Sequence, residues 1–392
     1  MLEIRPFEDK YLDNVLSLLD RSISTNRSNK TWMLNDMTAI LAFDRGKLIG
    51  VIPFEKRKIS FGGDKISNVL WVSAAHVDSE YRSGGIGTAM DKKIKEYFYP
   101  DNKAVLVCRG DENSAAYKWY KKIGYQDLLP VISFKKEVEK PQKESRYELW
   151  QSKEDIIVYE NQIYDCFIKN NVSYRGFPQR YKTFWSDKLN SHYYKEYYKY
   201  CIVALVDREH LLAYAFIGKT SFTDNIDRID ILELIMPDSI EVQDNLFNAI
   251  MQFAHQQKVK EIRLQLSSQD HHLQRINDLG FKSRWRYNIM GRMIDSIESF
   301  KGILSENKLQ KDYRIIFSTP GYGENCFGEG ERTIRLFMHD SIITHIIMNR
   351  CNIRNTIKEG RLVLYNGNDK DISVLEKVFP FYKWRFFHLD YI

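Results

Sequence analysis

The segment Val77-Asp78-Ser79-Glu80-Tyr81-Arg82-Ser83-Gly84-Gly85-Ile86-Gly87-Thr88-Ala89-Met90 constrains this chain more than any other. An apolar run, Val69 to Val77, feeds a glycine-rich turn, and the turn leads into the helical pattern of Met90 to Phe98. Backbone N–H groups at a helix start are unpaired and carry partial positive charge, so they bind phosphate oxygens. Glycines let the main chain approach an anion with no Cβ in the way. Arg82 adds a charge-assisted donor if its side chain points inward. Two other phosphate loops are excluded. Gly84, Gly85 and Gly87 do not give the Gly-x-Gly-x-x-Gly spacing of a dinucleotide site, and no Gly-Lys-Ser/Thr closes the loop as a triphosphate site requires.

The surrounding pattern is mixed α/β. Leu2 to Arg5 alternates like a short strand that Pro6 ends, and Tyr11 to Asp20 carries Leu12, Val15, Leu16 and Leu19 at helical spacing. Ile40 to Phe43 and Leu48 to Ile52 flank Asp44-Arg45-Gly46-Lys47, which predicts a hairpin. Ala104 to Cys108 reads as a strand, and Ser114 to Ile123 as a helix stopped by Gly124. The series closes near Phe134. Lys135 to Arg146, charged, aperiodic and containing Pro141, reads as a linker.

From Tyr147 the same rhythm returns. Cys201 to Val206 and Leu211 to Ile217 flank Asp207 to His210, and a strand over Ile229 to Met236 follows. A helix over Val242 to Gln256, a strand over Glu261 to Leu266 and a helix from His272 to Leu279 complete the series; Gly280-Phe281 ends it as Gly124-Tyr125 ends the first. The repeated order predicts a duplication. Past Asp295, strands over Tyr313 to Phe317, Thr333 to Met338 and Gly360 to Tyr365 alternate with helical stretches, which predicts a small α+β domain. For 392 residues, at about 150 per domain, the expected domains are 1–140, 147–295 and 298–392.

Arg82-x-x-Gly85-x-Gly87, set between a strand and a helix, resembles the Gln/Arg-x-x-Gly-x-Gly/Ala signature of the GNAT superfamily of acyl-coenzyme A N-acyltransferases. Downstream, Asn113-Ser114-Ala115-Ala116-Tyr117-Lys118-Trp119-Tyr120-Lys121-Lys122-Ile123-Gly124-Tyr125 resembles the family's Asn-x-x-Ala-x-x-x-Tyr-x-x-x-Gly-Phe/Tyr block. The two blocks, in order on a matching element series, cover residues 1–135.

The resemblance implies acetyl-coenzyme A as co-substrate and assigns roles. Ala75, His76 and Val77 would pair through their backbone with its pantetheine amides. Main-chain groups of Ser83, Gly84, Gly85, Ile86, Gly87 and Thr88, with Arg82, would hold the pyrophosphate. Asn113 would bond near the thiol end, and Tyr120 would protonate the leaving thiolate. A phenol with an ordinary pKa of about 10 suits a thiolate of similar basicity; the alternative is a Tyr120 packed in the core. Many members carry a glutamate base in the fourth strand, but Val69 to Val77 contains no carboxylate. His76 stands there, either as base or as a hydrogen-bonded structural histidine.

The whole chain, two acyltransferase-like domains and a short third one, resembles the enhanced intracellular survival type of aminoglycoside acetyltransferase. In that type the third domain is sterol-carrier-like, and the terminal carboxylate is the base. The analogy gives that role to Ile392, and the aromatic, apolar run Trp384 to Ile392 should dock rather than dangle. The fold class implied is tandem GNAT domains followed by a small sterol-carrier-like α+β domain. The second domain lacks Arg-x-x-Gly-x-Gly, and Pro237-Asp238-Ser239 cannot form the same cradle, so one coenzyme site per chain is expected.

The implied reaction is direct attack of an amine on acetyl-coenzyme A. The acceptor classes are a small-molecule amine, an amino sugar or aminoglycoside, or a protein lysine. The rival reading is a regulatory protein that holds acetyl-coenzyme A or a lipid without turnover. Charges of 58 and 52 nearly balance, at +6, which argues against a nucleic-acid partner. No run approaches the ~18 apolar residues of a membrane helix, and Met1 to Pro6 lacks a signal core, so a cytoplasmic protein is expected. The five cysteines, Cys108, Cys166, Cys201, Cys326 and Cys351, show no metal-ligand spacing; His271-His272 reads as surface, and no metal is expected. Tyr181 to Tyr200, rich in tyrosine and lysine, reads as a packing edge or a stacking surface. Oligomers are common in the family, so a homo-oligomer is within expectation.

Overall fold

A computed structural model of the chain describes residues 2–20, 37–62, 65–73, 75–110, 112–141, 143–190, 198–220, 227–306 and 312–391. The chain divides into two compact units, each discontinuous in sequence: Met1–Leu129 with Asn288–Tyr382, and Pro130–Tyr287 with Lys383–Ile392.

The first unit opens with β1 (Leu2–Pro6), α1 (Leu12–Asp20), β2 (Met37–Asp44), β3 (Lys47–Gly62), β4 (Lys65–Val72) and β5 (His76–Val77). It continues through α2 (Ile86–Lys92), α3 (Ile94–Phe98), β6 (Ala104–Gly110), α4 (Ala115–Lys122) and the start of β7 (Gln126–Glu137). Strands β1, β2, β3 and β4 pair antiparallel in that order, and β4 pairs β6 in parallel. The β2–β3 turn places Arg45 and Gly46 at φ 49° and 80°, the two left-handed residues that a tight hairpin needs. Alternation along the strands sends side chains to opposite faces. Ala39, Leu41, Phe43 and Val51 bury against Val15, Leu18 and Leu19 of α1. Ile40, Ala42, Phe54, Leu70 and Val72 pack instead with Ile86, Met90, Ile94, Phe98, Tyr120 and Tyr125.

Beyond β6 the sheet takes an element from far along the chain: residues 288–293 lie between β6 and residues 126–129. A Cβ on Gly291 would stand 2.5 Å from Leu106 Cδ2 and 2.7 Å from Leu128 Cδ1, so only glycine allows that approach.

The second unit holds the rest of β7, then β8 (Glu148–Trp150), α5 (Lys153–Asn171), β9 (Tyr174–Arg175), α6 (Phe184–Asn190), β10 (Tyr198–Asp207) and β11 (His210–Thr220). It continues with β12 (Arg228–Ile235), α7 (Ile240–Gln256), β13 (Glu261–Ser267), α8 (Leu273–Asp278) and the first part of β14 (Lys282–Met293). The stretch read as a linker begins inside β7, whose Val131–Glu137 pairs antiparallel with β13. Pairing repeats the first unit: β8, β10, β11 and β12 are antiparallel in order, and β12 pairs β13 in parallel. The β10–β11 turn again carries two left-handed residues, Arg208 and Glu209. The stop signals also match, with Gly124 at φ 96° and Gly280 at φ 83°. Order, pairing sense and stops thus agree with the predicted duplication.

Residues 295–382 return to the first unit. They comprise α9 (Ser296–Glu306), β15 (Tyr313–Thr319), β16 (Gly323–Phe327), β17 (Arg332–Met338), α10 (Asp340–Ile347), α11 (Ile353–Lys358), β18 (Leu362–Tyr365) and α12 (Asp369–Val378). The strands form a sheet in the order β16-β15-β17-β18, with the ring of Phe300 packed edge-on or tilted among Phe317, Phe327 and Phe379. The last strand, β19 (Lys383–Trp384), belongs to the second unit and pairs β9 in parallel. Among the described residues no helix is long and apolar enough to cross a membrane.

Candidate active site

Strands β4 and β6 pair only from Val69↔Ala104 to Val72↔Val107. Past that point the chain leaves β4 at Ser73 and re-forms as β5, which pairs with β3 through Gly50↔Val77 and Val51↔His76. Meanwhile β6 runs on through Cys108, Arg109 and Gly110. The predicted single strand Val69 to Val77 is therefore broken, and the break opens the sheet. Ala75, His76 and Val77, all half-buried, line one edge of the opening.

The glycine loop follows β5 directly. The Asp78 carboxylate accepts from the Glu80 N–H at 3.3 Å and starts a short turn. Arg82 folds back, its Nε–H donating to the Val77 carbonyl at 3.0 Å, and the residue stays exposed. Ser83 and Gly85 are left-handed at φ 65° and 77°, and Gly85 caps α2. Ser83, Gly84 and Gly85 are exposed, Ile86 is buried beneath them, and a Cβ on Gly85 would meet nothing within 4 Å. The Trp119 indole N–H donates to the Thr88 hydroxyl at 3.2 Å, which ties α2 to α4.

Tyr120 lies on α4 and is 1% exposed. Its ring packs between Trp119, at 4.6 Å, and Tyr125, at 4.9 Å. Arg109 Nη2 donates to its hydroxyl at 3.2 Å, while Nη1 holds the Cys108 carbonyl at 3.0 Å. Burial pushes the phenol above its ordinary pKa; the Arg109 cation pulls it back, and Asp91 adds a smaller upward push. Behind Tyr125, whose hydroxyl donates to Asp91 at 3.3 Å, Arg292 pairs with the same carboxylate at 2.8 Å. Burial pushes the Cys108 thiol up to about 12. Asn113 is exposed in the turn ahead of α4, where the Ser114 side chain caps the helix by accepting from the Tyr117 N–H.

The loop, β5 and Tyr120 thus share one unit. Arg109, Asp91 and Arg292 were not foreseen. The only sequence signal for Arg109 was a charge closing the apolar run Ala104 to Cys108, and nothing local marks Arg292. Ile392 lies outside the described residues, as do residues 191–197 of the tyrosine- and lysine-rich stretch.

Residues 3–127 match the family model of the acetyltransferase (GNAT) domain. The first unit carries a GNAT acetyltransferase domain. Solved structures share the fold at low identity. A probable N-acyltransferase from Enterococcus faecalis superposes with a TM-score of 0.69 at 12% identity, covering 98% of both chains. Eis1 from Mycobacterium abscessus gives 0.58 at 12%, covering 96% of both. The N-myristoyltransferase of Saccharomyces cerevisiae with bound myristoyl-CoA gives 0.51 at 11%, covering 74% of this chain and 82% of its own. No curated protein sequence gives a significant match.

The second unit repeats the strand-pairing frame of the first. Its parallel pairing also stops early, at Ile231↔Leu264. The chain's own C-terminal segment fills that region. Ser267 Oγ donates to the Trp384 carbonyl at 3.1 Å, and the Trp384 N–H donates to the Gln269 side chain at 3.1 Å. Arg385 Nε pairs with buried Asp270 at 2.6 Å, and Phe387 and Leu389 pack with Leu232 and Ile235 of β12. Arg180 bridges Asp390, at 2.6 Å, and Glu233, at 2.8 Å, with all three side chains fully buried. Counted back from the stop glycines, Ile276 stands where Tyr120 stands, and each residue's carbonyl accepts the same turn bond, from Phe281 and Tyr125 respectively. There is no proton donor at that place.

The reading of His271-His272 as surface needs correction: His272 is 2% exposed. Its Nε2 bonds the Met236 carbonyl at 3.2 Å, while His271 meets Asp238 at 2.8 Å and the Tyr174 hydroxyl at 2.5 Å. The tertiary fold, not helical spacing, brings Asp238 to the pair. Ligand atoms of Asp238, His271 and His272 fall within 4.8 Å of one another, and these hydrogen bonds already use both ring nitrogens of His271.

Proposed function

We propose that the first unit is an N-acyltransferase that uses acetyl-coenzyme A and transfers the acetyl group to an amine by direct attack. One observation carries the reading: the buried phenol of Tyr120 is held, through Arg109, beside the terminal stretch of β6 where that strand has parted from β4. The residues fit the coenzyme. Gly85 faces open space, Ser83 and Gly85 turn the loop left-handed, and the N–H groups that start α2 follow directly. An acyl-coenzyme A is the ligand bound in the yeast relative of the same fold.

The amine nitrogen attacks the thioester carbonyl carbon. A C–N bond forms, the C–S bond breaks, and the electron pair leaves on sulfur. Tyr120 delivers its phenol proton to that sulfur. The proton shed by the amine goes to a base, and His76, half-buried on β5, is the candidate for it among the described residues. The second unit is assigned no coenzyme, since Asp238 stands at the start of α7 and the tail occupies the opening.

Calorimetric titration with acetyl-coenzyme A, followed by a thiol-release screen over amines, tests the reading. One site per chain with thiol release is expected; an absence of binding overturns it.

A further inference from the structure

We propose that Arg109 tunes Tyr120 for proton donation, its guanidinium stabilising the negative charge left on the phenol oxygen when the proton passes to the departing thiolate. This rests on the acyltransferase reading above and adds a positioning residue to it.

The geometry is specific. Nη2 lies 3.2 Å from the Tyr120 oxygen, and the guanidinium carbon is 5.0 Å from the ring centroid. Nη1 is anchored on the carbonyl of its neighbour Cys108, which fixes the fork. Nε is buried and has no hydrogen-bond partner among the described residues. A buried phenol is a poor acid, because its anion is desolvated. A fixed cation at hydrogen-bond distance offsets that cost and acts most strongly once the charge has formed. The groups around Tyr120 push both ways: Asp91 on α2 opposes ionisation, Arg109 on β6 favours it, and Trp119 and Tyr125 are uncharged.

The duplicated frame supplies an internal comparison. Aligning the last parallel pairs, Val72↔Val107 and Ile231↔Leu264, puts Leu266 at the place of Arg109. Ile276 stands at the place of Tyr120, and Leu266 and Ile276 are buried in one apolar cluster. Where the acid is absent, the arginine is absent too. A merely structural cation on β6 would not need to disappear with a tyrosine from a different element.

The test compares wild type with Arg109→Gln and Arg109→Lys, using acetyl-coenzyme A and hydroxylamine, an amine already uncharged near neutral pH. The alkaline limb of kcat then reports the acid and not the acceptor. In Arg109→Gln the rate near neutrality should fall at least about tenfold and the limb should move to higher pH by about one unit or more. Arg109→Lys should restore part of both. An unmoved limb, with only stability or coenzyme affinity changed, overturns the proposal and leaves Arg109 a packing or binding residue. Spectrophotometric titration of Tyr120, as the difference between each protein and its Tyr120→Phe version, reads the same phenol without turnover. It should titrate lower with Arg109 present. If wild type fails to bind acetyl-coenzyme A, the acyltransferase reading falls, while this titration still decides whether Arg109 controls the phenol.

Discussion

Gly87 lies directly against the indole of Trp119: a Cβ at position 87 would stand 3.1 Å from Cζ2 of the ring. The two glycines of the motif therefore have different duties. Gly87 allows α2 and α4 to close, while Gly85 turns the loop and faces open space.

Substitution should separate those duties. Gly87→Val must displace Trp119 and its bond to Thr88, and overpacking of this kind costs about 1–3 kcal/mol, read as a lowered thermal midpoint. At Gly85 an added Cβ meets no atom within 4 Å, so Gly85→Val should cost about 1–2 kcal/mol, chiefly for the left-handed backbone. It should nonetheless abolish acetyl-coenzyme A binding in calorimetry, because the added side chain projects where the pyrophosphate is expected. Unchanged affinity in Gly85→Val would refute the loop assignment.

Tyr120→Phe keeps the ring packing against Trp119 and Tyr125 and removes only the hydroxyl. Loss of the bond to Arg109 should cost about 1 kcal/mol of stability. Turnover should fall by about a hundredfold or more, with coenzyme affinity preserved. Equal turnover in the two proteins would show that Tyr120 is a core residue and nothing else.

The buried Asp91–Arg292 pair makes a prediction about pH. Burial holds the Asp91 carboxyl above its ordinary range, and Arg292 is the main force lowering it. A carboxyl raised in the folded state contributes stability that is present below its unfolded pKa of 3.8 and lost as pH rises through the folded value. Arg292→Met should raise that value further and leave a buried carboxylate unpaired, at a cost of about 3–5 kcal/mol near neutrality. The stability gap between wild type and variant, from denaturant titrations, should therefore widen from pH 4 to pH 7. A gap independent of pH would mean that Asp91 does not carry the effect.

His272 gives the opposite slope in the second unit. Burial lowers its pKa from 6.5 to about 4, so the folded state resists protonation. The stability this reflects, about 3 kcal/mol, is present above pH 6.5 and lost as pH falls toward 4. His272→Gln retains a donor for the Met236 carbonyl and should flatten that acid limb. An identical limb in the variant would assign the acid sensitivity to other groups.

Several features were legible in the linear sequence because local chemistry specifies them. Left-handed turns need glycine or a tolerant residue, so Arg45-Gly46 and Gly124 announced a hairpin and a helix stop. The Arg82 to Gly87 spacing, set between an apolar run and a helical pattern, marked a glycine loop ahead of a helix, and the resemblance to the GNAT blocks singled out Tyr120. The repeated element order foretold a second copy of the frame. What the tertiary structure alone decided involves partners distant in the chain. It decided that Val69 to Val77 breaks to open the sheet, that residues 288–293 stand beside β6, and that Arg292 meets Asp91 across 201 positions. It also placed the C-terminal segment in the opening of the second unit and brought Asp238 to His271. Periodicity records which face of an element is buried, but not which element buries it. That choice is made by shape and charge complementarity between segments that no local pattern connects.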